Sequence, residues 1–327
     1  MLTLMYLKNT NWLYLAERVK TSVIPAVLPR ALFCGLFGVV ISVLYHLGLP
    51  VAWPVLEGLV PNLVLGLLLV FRTNTAYERF WEGRKAWGTL VNTVRNFARQ
   101  IWVAVAEKKP TDAEAKKETL RLLVAFAVAT KLHLRKENLN EELSALMSSE
   151  RFEKLKEMNH PPLEIAFWIG DYLQGQHNKR RLSIYQLSDM FKLLDTMVDV
   201  LGACERILKT PIPMAYAIHL KQLLLIYSLA LPFQLVNDLS FWTGPVVALI
   251  SFTLFGIEEI GLEIENPFGY DNNDLPLDAI CATMQRNIED LISLSPSTQN
   301  SVENWPKYRR FREERGHFKE EESTSGF

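Results

Sequence analysis

Four long apolar segments, arranged as two pairs, constrain the fold of this chain more than any other feature. The first pair is 31–49 and 58–71, and the second pair is 212–235 and 241–264. A bilayer core about 30 Å thick requires about 20 apolar residues of helix. The second segment is short and the third contains His219 and Lys221. Hydropathy alone therefore leaves open a soluble protein with a buried helical bundle.

Lysine and arginine residues are distributed asymmetrically around these segments. Neither residue occurs between the first and second segments, or in the short connection between the third and fourth. Basic residues do precede the first segment, and many follow the second, from Arg72 to Arg99. The positive-inside rule then places both termini and the middle of the chain in the cytoplasm. We therefore predict a four-span protein of the cell membrane, without a cleavable signal peptide because charged residues precede the first apolar run.

The remainder of the sequence predicts further helices and hence an all-α fold. Apolar residues recur at steps of three or four over 75–107, which indicates a long amphipathic helix that continues from the second segment. A second helix is predicted over 113–135, with Thr111 and Glu114 as a capping pair. The predicted organisation is an N-terminal segment with spans one and two in 1–72, a cytoplasmic helical domain in 73–210, spans three and four in 211–265, a cytoplasmic junction and helix in 266–300, and a charged, mobile tail in 301–327.

The residues that catalysis or cofactor binding would require are not grouped in this sequence. The three cysteines are far apart, the six histidines are scattered, and the common phosphate, nucleotide and metalloprotease motifs are missing. Acidic and basic residues nearly balance, at 36 against 35, which argues against a nucleic-acid partner. The sequence therefore predicts a protein that is not an enzyme, requires no cofactor and binds no nucleic acid.

Glutamates are concentrated at the end of the fourth apolar segment. Like charges this close repel one another, so some of these carboxylates must meet basic groups or water. A subunit interface would supply both. The residues concerned are Glu258, Glu259, Glu263 and Glu265.

The second apolar segment has an apolar stripe along one helical face. Leu63, Leu67 and Phe71 are spaced i, i+4 and i+8. In a symmetric oligomer this stripe would form stacked apolar rings, a type of constriction that gates by excluding water. The alternative is that these side chains contact lipid or pack on neighbouring helices.

Two stretches at the cytoplasmic ends of the predicted spans resemble the bacterial branch of the bestrophin family. They are FRTNTAYERFWEGRKAWGTL at 71–90 and IENPFGYDNNDLPLD at 264–278. The matching anchors are Arg72 with Asn74, Tyr77 with Glu78, the prolines of PIP at 211–213, and NPFG at 266–269. The resemblance covers roughly residues 10 to 290, and only the C-terminal tail clearly lies outside it.

This resemblance implies a homopentamer, embedded in membrane lipid, that conducts monovalent ions through a single central pore. The apolar neck would consist of Leu63, Leu67 and Phe71, with Val60 and Val64 as the alternative register. A lower aperture would lie at or beside Ile184. The neck contains leucines where animal members have aromatic residues, and the outer segments contain Glu57 and Asp238 without lysine or arginine. These features favour cations modestly over chloride.

Calcium opens the animal bestrophins through an acidic stretch after NPFG, and this chain contains only a thinned version of that stretch. Asp271 and Asp274 are separated by two asparagines, and with Asn266 they form a weak candidate calcium clasp. Calcium requires six to eight oxygen ligands, so calcium is possible but not favoured. The competing interpretation is that Asp274 caps a helix that begins near Leu275.

A second function from a different class remains open. The chain could be a membrane-anchored scaffold whose cytoplasmic helices bind a partner, with the spans serving only as an anchor. Flux of Na⁺, K⁺ or Cl⁻ across a liposome membrane would distinguish the two functions.

Overall fold

The computed structural model describes residues 22–53 and 59–294, and within these residues every regular element is helical. Ten α-helices follow one another: α1 Ile24–His46, α2 Leu59–Ala104, α3 Pro110–Arg135, α4 Glu141–Ser144, α5 Ser149–Lys156, α6 Pro161–Asn178, α7 Ile184–Lys209, α8 Met214–Leu239, α9 Thr243–Glu263 and α10 Leu277–Ser293. A 3₁₀ turn, Ser240–Trp242, separates α8 from α9. Glu57, which entered the prediction of ion preference, and the charged tail lie outside the described residues.

The chain divides into two compact units. The first contains the residues up to Asn92 together with Ala129–Leu139 and Met197–Ile280, and the second contains Thr93–Val128, Asn140–Thr196 and the residues from Cys281. The predicted membrane segments all belong to the first unit.

Several helices of the first unit have the length and composition of membrane spans. Helix α1 and the 50-residue stretch Met214–Glu263 pass this criterion, and the structure divides that stretch into α8 and α9. The predicted second span is the N-terminal part of α2, which continues without a break into the polar sequence after Phe71. The prediction that one long helix leaves the second segment is confirmed.

Helices α1 and α9 approach each other closely because glycines line their contact. A Cβ atom added to Gly244 would lie 2.4 Å from Val39 Cγ2 and 3.0 Å from the carbonyl oxygen of Gly35. A Cβ atom added to Gly35 would lie 2.7 Å from the Cβ atom of Ala248. Small residues allow helix backbones to approach within a membrane, where apolar burial gives little driving force for association.

An apolar cluster joins the four helices of the first unit that contain the predicted membrane segments. It contains buried side chains from α1, α2, α8 and α9: Val27, Cys34, Leu65, Leu69, Leu220, Leu224, Leu231, Val247 and Phe255. Because Leu65 and Leu69 belong to this cluster, one face of α2 is fixed against the other helices.

Arg79 fastens α2 to the ends of α7 and α9. Its guanidinium donates to the carbonyl oxygens of Ile207 at 2.6 Å, Glu265 at 3.0 Å and Thr210. Helix ends leave carbonyl groups without intrahelical partners, and a cationic side chain near a C-terminus also complements the helix dipole. One arginine therefore satisfies the ends of two helices.

The second unit contains the turn that joins α2 to α3. Helix α3 begins at Pro110, three residues before the predicted start, and Asp112 Oδ2 accepts from the backbone N–H groups of Lys108 and Lys109 at 3.0 and 2.9 Å. The predicted helix and its end at Arg135 are confirmed, whereas it starts earlier than predicted and Thr111, inside its first turn, is not its cap. The adjacent side chain of Lys116 is buried and donates to Val105 O and Glu107 Oε1, both at 2.8 Å.

Candidate functional site

The N-terminal part of α2 has two opposite faces. Leu65, Leu69 and Arg72 are buried, whereas Leu63, Leu67 and Phe71 are 53, 45 and 60% exposed. At about 100° per residue, the middle of the exposed stripe lies on the side of the helix opposite to the buried residues. The predicted stripe is therefore available to line a pore, contact lipid or contact a second subunit.

Both predicted registers of the neck lie on this exposed face. Val60 and Val64 are 70 and 46% exposed, and together with Leu63, Leu67 and Phe71 they span an arc of about 100°. Asn74 and Glu78 continue the same face toward the C-terminal part of the helix, and both are exposed. The face thus changes from purely apolar to polar and then acidic along the helix.

Ile184, the predicted lower aperture, is the first residue of α7 and is 56% exposed. It follows a basic turn in which Arg180 has a left-handed backbone conformation with φ of 54°. A crevice of about 1070 Å³ lies beside this turn, and its basic lining residues are Lys108, Lys109, Lys116, Arg180 and Arg181. Sequence reasoning missed this crevice because its two walls lie about 70 residues apart in the chain, at 103–116 and 177–186.

Three of the four glutamates predicted at the end of the fourth apolar segment, Glu258, Glu259 and Glu265, have basic partners within their own chain, and the fourth, Glu263, accepts from Asn273. Glu258 is 2% exposed, and its carboxylate lies within 4.0 Å of Arg30, Arg72 and Lys221. Glu259 accepts from Arg30 at 3.1 Å, and Glu265 lies 3.5 Å from Arg72. A subunit interface is therefore not required to neutralise these carboxylates.

Arg72, one of the residues that supports the family resemblance, is buried and incompletely satisfied. Its side chain is 1% exposed, and none of its three guanidinium nitrogens has a hydrogen-bond partner within the described residues. Its nearest carboxylates are at ion-pair distance, so it depends on Glu258 and Glu265 for charge compensation.

The NPFG motif at 266–269 packs against α2. Phe268 is fully buried, and a Cβ atom added to Gly83 would lie 3.1 Å from its ring. Arg135 donates to the Phe268 carbonyl at 3.0 Å and to Asp278 at 3.0 Å. The glycine at position 83 is therefore needed for the motif to approach the helix. The motif identified the family, and in this structure its role is packing.

Asp274 and Asn266, two of the three candidate calcium ligands, accept hydrogen bonds within their own loop. Asp274 Oδ2 accepts from the backbone N–H of Asp271 at 2.8 Å, and Asn266 Oδ1 accepts from that of Phe268 at 3.4 Å. Asp274 Oδ1 is buried and has no hydrogen-bond partner within the described residues, so it could accept a cation. Asp271 is exposed. The side chains of Asp271, Asp274 and Asn266 alone offer fewer oxygens than the six to eight that calcium takes, and the weak calcium clasp stays a prediction.

The predicted capping role of Asp274 is wrong. Helix α10 begins at Leu277, and Asp274 Oδ2 accepts from the backbone N–H of Asp271, three residues earlier, rather than from the first turn of the helix. A local sequence pattern favoured the cap, but the loop turns back on itself and Leu275 N–H donates to the carbonyl of Pro267 at 2.9 Å.

Asp274→Asn is expected to remove a pH dependence of stability. Burial, together with the charge of Asp271 and against the Asp271 N–H bond that lowers it, raises the pKa of Asp274 to about 6. The folded state therefore retains a proton that the unfolded state releases, so wild-type stability falls as pH rises from about 4 to about 6. We expect the asparagine variant to have the higher unfolding temperature at neutral pH and the same temperature near pH ~4.

Thermal unfolding of the detergent-solubilised protein across this pH range measures the effect. Asp290→Asn, an exposed change in α10, serves as the control and should leave the pH dependence unaltered. Parallel pH curves for wild type and Asp274→Asn would contradict the prediction.

Comparison with known proteins gives a consistent result. A family model described as bacterial/fungal bestrophin protein matches residues 5–290. A voltage-dependent anion channel-forming protein of Nostoc sp. is 62% identical over 90% of this chain and 96% of its own length. A protein with the same description from Synechocystis sp. is 59% identical over 89% of this chain and 94% of its own length.

Solved structures of similar proteins agree with the fold. A substituted form of a bacterial bestrophin homologue from Klebsiella pneumoniae is 30% identical to this chain, with a TM-score of 0.75. The match covers 82% of this chain and 100% of the other. At this identity and TM-score the similarity extends to the arrangement of the helices.

Proposed function

Because the chain belongs to the bacterial and fungal bestrophin family, we propose that it forms a homopentameric channel for small monovalent ions with one central pore. Bestrophins are ion channels and not enzymes, which agrees with the lack of catalytic motifs in the sequence. The alternative of a membrane-anchored scaffold is the second candidate, and it would leave the α2 face without a conducting role.

The exposed apolar face of α2 is the observation that best supports a channel. Five copies of Leu63, Leu67 and Phe71 around one axis would form three stacked apolar rings. Water leaves a narrow apolar constriction easily, so such rings block ions until they dilate. In this proposal Ile184 forms a second constriction at the cytoplasmic end of the pore.

We further propose four membrane spans with both termini in the cytoplasm. Helices α1, α8 and α9 have the required length, and the first part of α2 would be the fourth span. Arg30, Arg72 and Lys221 all lie within 4.0 Å of Glu258, so they mark one level of the first unit. By the positive-inside rule this level is the cytoplasmic one.

Leu63→Ala and Phe71→Ala are expected to speed ion flux through the purified protein in liposomes. Each change removes bulk from one apolar ring in every subunit, which widens the constriction and lowers the cost of keeping water in it. We expect a severalfold increase in the rate at which a Na⁺, K⁺ or Cl⁻ gradient dissipates.

Leu249→Ala is the matched control, because Leu249 is 66% exposed on α9 and lies on no predicted pore face. It should leave the flux unchanged. A correctly assembled oligomer that passes none of these ions would overturn the channel and favour the scaffold.

Some observations support anions as the permeating ions, and others support cations. The relatives described as anion channel-forming, together with the basic crevice beside Ile184, support anions, which we propose as the conducted class. The cation preference favoured by the sequence is not confirmed, but Glu78 on the neck face of α2 supports it as the second candidate. A ring of carboxylates below the neck would attract cations and repel anions.

Reversal potentials under a salt gradient decide between the two ion classes. An anion channel gives a reversal potential near that of Cl⁻, and Glu78→Gln should then increase Cl⁻ flux. A reversal potential near that of Na⁺ or K⁺, lost in Glu78→Gln, would instead establish the cation channel with Glu78 as its selective residue.

Conduction is proposed to need no cofactor, with calcium binding weak at most. Asp271 and Asp274 supply too few uncommitted oxygens for a regulatory site. Flux should therefore be the same in calcium and in chelator, and a chelator that closes the channel would contradict this.

A further inference from the structure

We propose that an anionic phospholipid of the cytoplasmic leaflet binds in a crevice among α1, α8 and α9, with its phosphate at Arg30 and Lys221. The crevice has a volume of about 480 Å³ and belongs entirely to the first unit. This proposal rests on the proposed membrane topology, and it is independent of whether the chain conducts ions.

The crevice has a charged end and an apolar end. Arg30, Lys221 and Glu258 form the charged end, where Glu258 lies 4.0 Å from Arg30 and 3.8 Å from Lys221. Phe33, Leu225 and Phe255 line the remainder. Such a lining matches a ligand that has an ionic head and an apolar tail.

The helix directions place the apolar end toward the middle of the membrane. On α1 and α8, which run outward in the proposed topology, Phe33 follows Arg30 and Leu225 follows Lys221. On α9, which runs inward, Phe255 precedes Glu258. Each apolar residue therefore lies three or four positions from its charged neighbour, or about 5 Å along the helix.

The charged end favours an anion. The side chains of Arg30 and Lys221 are 48 and 50% exposed, whereas Glu258 is 2% exposed. Glu258 is shared with a third cation, Arg72, at 4.0 Å, while Arg72 also has Glu265 at 3.5 Å and Arg30 donates to Glu259. The only carboxylate at ion-pair distance from Lys221 within the described residues is thus Glu258, which also faces Arg30 and Arg72 and, at 3.8 Å, is too far away for a hydrogen bond. Its ammonium donors can bind a phosphate oxygen at the mouth of the crevice.

A membrane lipid fits this site better than a free anion does. Phe33 and Leu225 are 60 and 45% exposed directly beside the charges, and a small anion would leave them uncovered. An acyl chain would cover them while the phosphate reaches the cations. Anionic lipids are attracted to basic groups at the cytoplasmic surface, and basic pockets between membrane helices are known lipid sites.

Native mass spectrometry of the full-length oligomer tests the proposal, with phosphatidylglycerol and phosphatidylcholine as probes. We expect wild type to retain phosphatidylglycerol in preference. Lys221→Gln should weaken its binding about fivefold, since a surface lysine contributes about that factor, and Lys221→Arg should retain it. Lys192→Gln, an equal charge change outside the crevice, should leave binding unaltered.

A second variant tests the apolar end. Leu225→Trp leaves the cations in place and fills the crevice, so it should reduce phosphatidylglycerol retention while the unfolding temperature of the oligomer is maintained. Inorganic phosphate should not displace the lipid, because it lacks the tail.

Three results would overturn the proposal. The first is equal retention of the two lipids, and the second is unchanged binding in both Lys221→Gln and Leu225→Trp. The third is loss of the oligomer in Lys221→Gln, which would show that a second copy of the chain covers the crevice. Because none of these measurements uses flux, failure of the lipid site and failure of the channel are distinguishable.

Discussion

Glu258→Gln is expected to destabilise the first unit by up to about 3–5 kcal/mol, the cost of breaking a buried ion pair by removing one partner. The change leaves the buried guanidinium of Arg72 with Glu265 as its remaining acidic neighbour at ion-pair distance. The side chains of Arg30 and Lys221 are half exposed and can be hydrated, so the loss of charge compensation falls mainly on Arg72. A lower unfolding temperature and a smaller yield of oligomer in detergent would show the loss.

Two further variants make this result specific. Glu263→Gln alters another glutamate of the same helix end, whose partner is Asn273, and should have little effect. Combining Glu258→Gln with Arg72→Met should restore part of the stability, since the second change removes the buried charge that the first leaves undercompensated. If Glu258→Gln unfolds within ~1 kcal/mol of wild type, Arg72 does not depend on Glu258.

Gly244→Val should force α1 and α9 apart. Its first added atom would lie 2.4 Å from Val39 Cγ2 and 3.0 Å from a backbone oxygen, and the backbone cannot yield as a flexible side chain would. Overpacking of this kind costs about 1–3 kcal/mol, and the two methyl groups of valine place the cost at the upper end. The measurement is the unfolding temperature together with the fraction of oligomer on size-exclusion chromatography.

Gly256→Ala is the control for Gly244→Val. Gly256 lies on the same helix, but an added Cβ atom there meets no atom within 4 Å. Alanine at this position should be neutral or slightly stabilising because it favours the helix by up to about 1 kcal/mol. Equal losses in both variants would show that glycine content, and not the α1–α9 contact, decides the stability.

Much of the fold was predictable from the apolar segments. The third and fourth segments correspond to α8 and α9, and the long helix after the second segment is α2. The start of α1 at Ile24 was not predicted, because Pro25, Pro29 and Arg30 precede the apolar run. Pro25 lies in the first turn, where proline is compatible with helical structure, and Pro29 lies inside the helix, so the residues that resemble a break form its first turns.

The candidate site was predictable where it depends on helical periodicity. The spacing of Leu63, Leu67 and Phe71 correctly indicated one face, and that face is exposed. The partners of Glu258 come from α1, α2 and α8, far away in sequence, so no local pattern could identify them. The contact between α1 and α9 could have been predicted in part, because Gly244 and Ala248 have the four-residue spacing of small residues that is typical of membrane helix pairs.

The triple hydrogen bond of Arg79 has a consequence for how the sequence can change over time. Its acceptors at Ile207, Thr210 and Glu265 are backbone oxygens, which every amino acid supplies. A substitution at any of these three positions therefore retains the backbone oxygen to which Arg79 donates. Arg79 itself has no equivalent, because lysine cannot reach three separated carbonyls from one planar group. The Arg79 hydrogen bonds thus restrict sequence change at the donor, and they place no demand on the side chains of the three acceptor residues.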